Sequence, residues 1–335
     1  MTQTLIIGGY TDRDDLPVGA ASGLGLYQWR DDVASLVATV PVDNPTWFEW
    51  EARRRVLYVS QSSLTTLTAV AIPGDARSAR VLDVIELGAV NPAHLALAPT
   101  GDAVVAACFT EGQVVTVALA EDGSFDGVRG RVDLATERNA EPHQISFGGS
   151  GFAVPDRARD EIHRFSWAAG SAPKLRGSDP QPAGRGPRHL ARHPRREDIA
   201  YLAGELDSTV TALRAGAAGF EAAGSASTLP TGYEGENSVA AVFVDAAGTL
   251  YVSNRGHDSL ASFDISDPLA PRPTGHLDAG GRTPRFAGEI APGLIASAAM
   301  DSHSVDLIRD GRSRIRIAHG APGCVRLIDL DAREA

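Results

Sequence analysis

Two cysteines, Cys108 and Cys324, are all that the 335 residues contain. Each lies in a strand-like run, and the two runs are far apart in the chain. A disulfide framework is not expected; buried, reduced thiols of a cytosolic protein are. No apolar run approaches the ~20 residues that a membrane-spanning helix needs. The stretch Met1 to Ile7 has no basic region and enters a strand-like run at once, so no signal peptide is expected and the cytoplasm is the location read. Positive charge is in deficit: Lys and Arg number 31 against 42 Asp and Glu, a net charge of -11. Phosphate contacts need a basic face, which argues against general nucleic-acid binding. The acidity suits a solvated surface. Helix signals are weak. There is no Cys/His metal spacing, phosphate-binding loop, calcium loop or Gly-x-Ser-x-Gly elbow. The expectation is therefore no metal, no cofactor and no serine nucleophile.

What is present is a repeat. Turns built on Asn44-Pro45, Asn91-Pro92, Glu141-Pro142, Gly186-Pro187, Asn237-Ser238 and Thr283-Pro284 recur every 45 to 51 residues. A short β-rich run follows each, as in Val56-Leu57-Tyr58-Val59-Ser60 and Leu250-Tyr251-Val252-Ser253. The 35 Gly and 20 Pro, with lysine scarce, fit many short strands joined by tight turns. A period of that size filled with strands predicts a β-propeller with four strands per blade. Six turns start six units. The remainder is three N-terminal strands, Thr4–Gly8, Gly25–Trp29 and Ala34–Val40, and one C-terminal strand, Cys324–Leu330, after Ala321-Pro322-Gly323. Together they make a seventh blade, shared between the ends of the chain, which closes the ring and removes exposed edges. The fold class is all-β, a seven-bladed propeller forming a single domain over residues 1–335.

The repeat also locates a site. Successive strands in a blade run in opposite directions. Residues at the start of each first strand and the end of each second strand therefore gather at one mouth of the central channel. The first group holds His94, His143, Arg188, His189 and Arg285. The second holds Phe109, Asp156, Glu205, Arg255 and Met300. His143, Arg188, Glu205 and Arg255 stand out, since strand packing does not ask for charge at a converging rim. They suit a small anionic or carbonyl-bearing ligand. His94, His189, Arg285 and His257 form a further substrate-binding set. The recurrence of His94 and His189 at one repeat position also fits loop orientation, and His257 also fits a plain turn. Glu234 and Glu236 read as surface acids. Arg192-His193-Pro194-Arg195-Arg196 reads as a solvated turn at the opposite face.

Gly186-Pro187-Arg188-His189-Leu190, Gly204-Glu205-Leu206-Asp207-Ser208-Thr209-Val210, Ser253-Asn254-Arg255-Gly256-His257-Asp258-Ser259 and Pro142-His143-Gln144 resemble the lactonase family of seven-bladed β-propellers. That family includes a cytosolic bacterial 6-phosphogluconolactonase and a fungal 3-carboxy-cis,cis-muconate lactonising enzyme. The resemblance implies a His, Arg, Glu, Arg site at His143, Arg188, Glu205 and Arg255. The chain departs from the family at Phe286, where the pattern has His after Pro-Arg. It departs again at Ala240-Ala241, where an acid is usual, and at Asp156-Arg157-Ala158, where Asp-Leu-Gly is usual.

The resemblance implies a hydrolase that opens the lactone ring of a sugar acid. Glu205 is the candidate general base, and His143 delivers or accepts a proton. Arg188 and Arg255 bind the carbonyl and a carboxylate or phosphate. Two alternatives stand beside it: a cycloisomerase that closes a lactone on a carboxylate-bearing diene, and a propeller that only binds a ligand or protein. The partner expected is a small lactone or sugar acid, with no nucleic acid and no membrane. The sequence leaves the lactone and the oligomeric state open.

Overall fold

The protein is described from a computed structural model covering residues 3–11, 21–136, 138–216, 219–311 and 313–330. Met1 and Thr2, at the head of the expected N-terminal strand, lie outside them. The described residues form seven four-stranded antiparallel sheets arranged as blades, with two short 3-10 turns as the only helical pieces. The first blade runs Pro45–Glu51, Val56–Gln61, Thr66–Ala71 and Arg80–Glu86 from the channel outward. The seventh takes its innermost strand, Pro322–Asp329, from the end of the chain. Its other three, Gln3–Gly9, Leu24–Arg30 and Val33–Val40, come from the beginning. Leu5 pairs with Leu327 on one side and Tyr27 on the other, so the shared blade closes as the repeat count requires.

Burial follows position in the blade. Second strands are covered on both faces by neighbouring blades, so they read as unbroken apolar runs. Val56–Gln61, Ala103–Cys108 and Leu294–Ala299 are buried at every residue. Apolar clusters straddle adjacent blades; one joins Ile6, Leu26 and Cys324 of the seventh blade to Phe48, Leu57 and Val59 of the first. Outer strands face water, and Val33, Leu36, Val81 and Val84 are exposed there. Cys108 and Cys324 are free, buried thiols in separate blades, and burial pushes each up to about 12.

The turn signature has a backbone cause. The residue before the anchoring proline has a left-handed conformation at Asn44, Asn91, Gly186, Thr283 and Ala321, with φ between 33° and 63°. Asn and Gly tolerate that region best. Its carbonyl then accepts the N–H of the residue that follows the second strand. Ser62 donates to Asn44, Phe109 to Asn91, Glu205 to Gly186, Met300 to Thr283 and Tyr10 to Ala321, at 2.8 to 3.2 Å. Arg157 makes the same bond to Glu141 in the third blade, and in the fifth Arg255 pairs with Ser238. One residue per blade is thus pinned at the channel mouth: Tyr10, Ser62, Phe109, Arg157, Glu205, Arg255 and Met300.

Candidate active site

Two backbone devices build the site. The first is the pinned position just described. The second is a bulge after the anchoring proline: the ladder skips a residue between Pro45 and Trp47, Pro92 and His94, Pro187 and His189, and Pro284 and Phe286. A bulge re-aims side chains and terminates regular pairing. The residues it frees include Arg188 and Arg285. In the third blade the first strand is only Ser146–Gly148, and Pro142 meets Asp156 in an isolated bridge. His143 therefore lies outside any ladder, with its N–H donated to the Pro155 carbonyl at 3.0 Å.

Glu205 is the hub. Its Oε2 lies 2.9 Å from Arg188 Nε, and its Oε1 lies 3.2 Å from Arg255 Nη2 and 3.4 Å from Arg157 Nη1. Burial alone would push its carboxyl up. The charges of Arg188, Arg255, Arg157 and Arg285 outweigh that and hold it below the ordinary carboxylate value. Arg188 is 3 % exposed and donates Nη1 to the Ala240 carbonyl at 2.6 Å. Arg255 gives Nη2 to Ser238 Oγ at 2.8 Å and to the Val239 carbonyl at 3.0 Å. Both arginines stand behind Glu205, with many of their donors already used.

A cleft of about 280 Å³ opens in front of Glu205, bounded by His143, Arg157 and Arg285 on one side and by Tyr10, Ser62, Ser63 and Asn91 on the other. The His143 imidazole touches the rings of Phe109 and His189, and its Nδ1 is buried with no hydrogen-bond partner. Burial first, then the Arg188 charge, pulls it well below the usual imidazole value, so it is neutral. Arg285 makes no hydrogen bond or ion pair among the described residues; its guanidinium lies 5.7 Å from the centre of the Tyr10 ring. It also borders a second cavity of about 260 Å³ lined by Trp47, His189 and Phe286.

The residues expected from the sequence divide into three groups. His143, Arg188, Glu205, Arg255 and Arg285 converge on one site. His94 and His189 sit deeper, packed with Trp47, which stacks on His94 at 4.3 Å and meets His189 edge-on at 5.7 Å. Burial pulls His94 down to about 3 and His189 well below its usual value. They are a packed neutral floor and not part of the cleft's lining. His257 is not at the channel. Gly256, at φ 120°, turns the chain away. The ring rests on Tyr233 and on His276 of the outer strand, with Nδ1 2.7 Å from Ser259 Oγ.

A second correction concerns Asp156. It is fully buried and turned inward, accepting from the N–H groups of Glu141, Ala158 and Arg159 and pairing with His163 at 3.1 Å. The rim position belongs to Arg157. Counting from the anchoring proline does not find it, because the rim residue lies 17 residues on at Ser62, 18 at Glu205 and 15 at Arg157, and spacing from the strand's apolar run slips by one residue. Tyr10 and Ser62 hold the same hydrogen-bonded position. Among the described residues no cluster of His, Cys, Asp or Glu is arranged to hold a metal. A larger cavity of about 680 Å³ lies between the third and fourth blades, away from the rim. Its cations are committed: Arg192 to the Phe147 carbonyl and Arg164 to Asp179.

Comparisons with known proteins agree with the seven-bladed fold. A family model described as "Lactonase, 7-bladed beta-propeller" matches residues 4–315. The 6-phosphogluconolactonase of Bacillus subtilis is 26% identical over 260 residues, covering 72% of this chain and 74% of that protein. An uncharacterized protein of Lactococcus lactis subsp. cremoris is 28% identical over 281 residues, 81% of each chain. Among solved structures, the periplasmic gluconolactonase of Pseudomonas aeruginosa superposes with a TM-score of 0.86 at 19% identity, covering 98% of this chain and 100% of that one.

Proposed function

Given that the chain belongs to the lactonase family of seven-bladed β-propellers, we propose that it opens the lactone ring of a sugar acid at the cleft before Glu205. The observation that carries this reading is the presence, in one cleft, of a neutral imidazole and a guanidinium that makes no hydrogen bond or ion pair among the described residues.

Ester hydrolysis needs a base for water and a positive group for the oxyanion. Glu205 entered as the candidate base. Its oxygens are shared among three arginines, which leaves them engaged and not free to take a proton from water. His143 has a nitrogen lone pair that no protein donor among the described residues uses. In this reading His143 takes the proton from water as the water oxygen bonds to the lactone carbonyl carbon. The electron pair shifts to the carbonyl oxygen, where Arg285 meets it. Collapse of that oxyanion breaks the ring C–O bond, and His143 returns its proton to the departing alcohol. Glu205 anchors Arg188 and Arg255 and fixes the charge beside the reacting carbonyl. Ser62, Ser63 and Asn91 offer neutral donors and acceptors to the sugar hydroxyls.

Acid release measured at constant pH, over a set of aldono-lactones with and without a phosphate, tests this. Turnover of at least one lactone is expected, with kcat/KM falling ~10²–10⁴-fold in His143→Asn. Calorimetric binding of these lactones without acid release would make the propeller a binder and defeat the reading. Because no metal step is invoked, EDTA should leave turnover unchanged.

A further inference from the structure

The reaction as drawn uses His143, Arg285 and Glu205 with its two buried arginines. It leaves Arg157 without a task. This residue holds in the third blade the pinned position that Glu205 holds in the fourth. Its side chain is 26% exposed, against 15% for Arg255 and 3% for Arg188, so it is the most accessible of the three arginines around Glu205. Its Nε and Nη2 reach Glu141 Oε2 at 2.8 and 2.7 Å, and Nη1 stands 3.4 Å from Glu205 Oε1. The guanidinium carbon lies 5.3 Å from the centre of the Phe109 ring. A guanidinium has five N–H donors. The two carboxylates engage three, so a held, oriented fork with spare donors lines the cleft.

The charge balance points the same way. Among the described residues, Arg157, Arg188, Arg255 and Arg285 gather around two carboxylates, Glu141 and Glu205. The imidazoles of His94, His143 and His189 are held neutral. The cleft is therefore positive in a chain whose net charge is -11. Structural pairing explains no such surplus, because Arg188 already matches Glu205 and Glu141 matches Arg157. A local excess of cations in a concave site concentrates anions there, and the arginine fork fits the oxygens of a carboxylate or phosphate.

We propose that Arg157 is a specificity residue that binds an anionic oxygen group carried by the lactone away from its ring carbonyl, so that charged lactones are selected over neutral ones. This rests on lactone hydrolysis in the same cleft, and the test keeps the two apart. Calorimetry with gluconate, 6-phosphogluconate and glucarate needs no turnover. Wild type should bind one of the two doubly acidic ligands roughly 10- to 100-fold more tightly than gluconate. Whichever gains identifies the group as phosphate or carboxylate. Arg157→Met should erase that preference, and Arg157→Lys, which keeps the charge without the fork, should restore part of it. In steady-state hydrolysis of the matching lactones, Arg157→Met should lower kcat/KM for the charged lactone by the same factor relative to the neutral one, chiefly through KM. An Arg157→Met protein that keeps the wild-type preference overturns the proposal. So does one that weakens toward all three acids equally, which marks a structural role. Loss of the preference in a protein that hydrolyses no lactone removes the catalytic reading and leaves the anion site in place.

Discussion

The two halves of the channel mouth share a backbone and differ in chemistry. In the third, fourth and fifth blades the pinned positions carry Arg157, Glu205 and Arg255, with Arg188 on the adjacent bulge. In the seventh, first and second blades the same positions carry Tyr10, Ser62 and Phe109, and the bulges of the first and second blades carry Thr46 and Ala93. The N–H to carbonyl bond that pins them is common to both halves, save at Arg255, which is held within its strand pair. The ring thus supplies repeated addresses, and a site arises where the sequence breaks the symmetry on one side only. The charged half must desolvate ions and so depends on mutual pairing. The neutral half keeps short hydroxyl contacts, such as Thr46 Oγ1 to Ser62 Oγ at 2.5 Å, and carries no charged group at its pinned positions.

That difference is open to test. Replacing the hub should do most: Glu205→Gln leaves Arg188 and Arg255 in a buried site without their anion, and should lower stability by roughly 3–5 kcal/mol. Urea midpoints measure it, and a shift under about 1 kcal/mol would make the two halves energetically alike. Arg285→Met should cut kcat by ~10²–10³ without a comparable loss of stability, since among the described residues the guanidinium gives up the Tyr10 ring contact but no hydrogen bond or ion pair. Equal losses of activity and stability would show that it is part of the ion-pair network.

The pH response comes next in size. His94 is neutral when folded, with its value pulled to about 3, whereas an unfolded histidine titrates near ~6.5. The unfolded chain therefore binds protons first as pH falls, and stability is full above ~6.5 and lost progressively toward about 3. Melting temperatures of His94→Asn should fall less over that window than those of wild type; parallel curves would remove His94 from the account. The smallest effect belongs to the neutral half. Ser62→Ala should raise KM by roughly 2- to 10-fold, the worth of one neutral hydrogen bond. A loss as large as that of Arg285→Met would erase the distinction between the halves.

Much of this was legible in the chain. The Pro-led turns, with Ser238 in place of Pro in the fifth blade, located all seven blades; five of the turns have a left-handed residue before the proline, and the sequence places Asn or Gly at three of those. The convergence of Arg188, Glu205 and Arg255 followed from strand direction alone. The misses have local causes. Asp156 resembles a rim acid, but three backbone N–H groups and His163 draw it inward. His257 follows Arg255 by two residues, but Gly256 turns between them, and a side chain there would meet the Glu236 carbonyl. How many guanidinium groups share the oxygens of Glu205 depends on side-chain reach and not on spacing, so the sequence did not show it.

The shared seventh blade sets the order in which the molecule can be completed. Six blades are built from neighbouring segments, so each can pair without a distant part of the chain. The strand Gln3–Gly9 differs, because one of its edges is covered only by Pro322–Asp329, far along the chain. Until that pairing forms, a strand with Leu5, Ile6 and Ile7 destined for full burial presents an unpaired edge. Joining segments so distant in sequence is slow. The closure that protects the finished ring is therefore its most aggregation-exposed edge until the two distant segments meet.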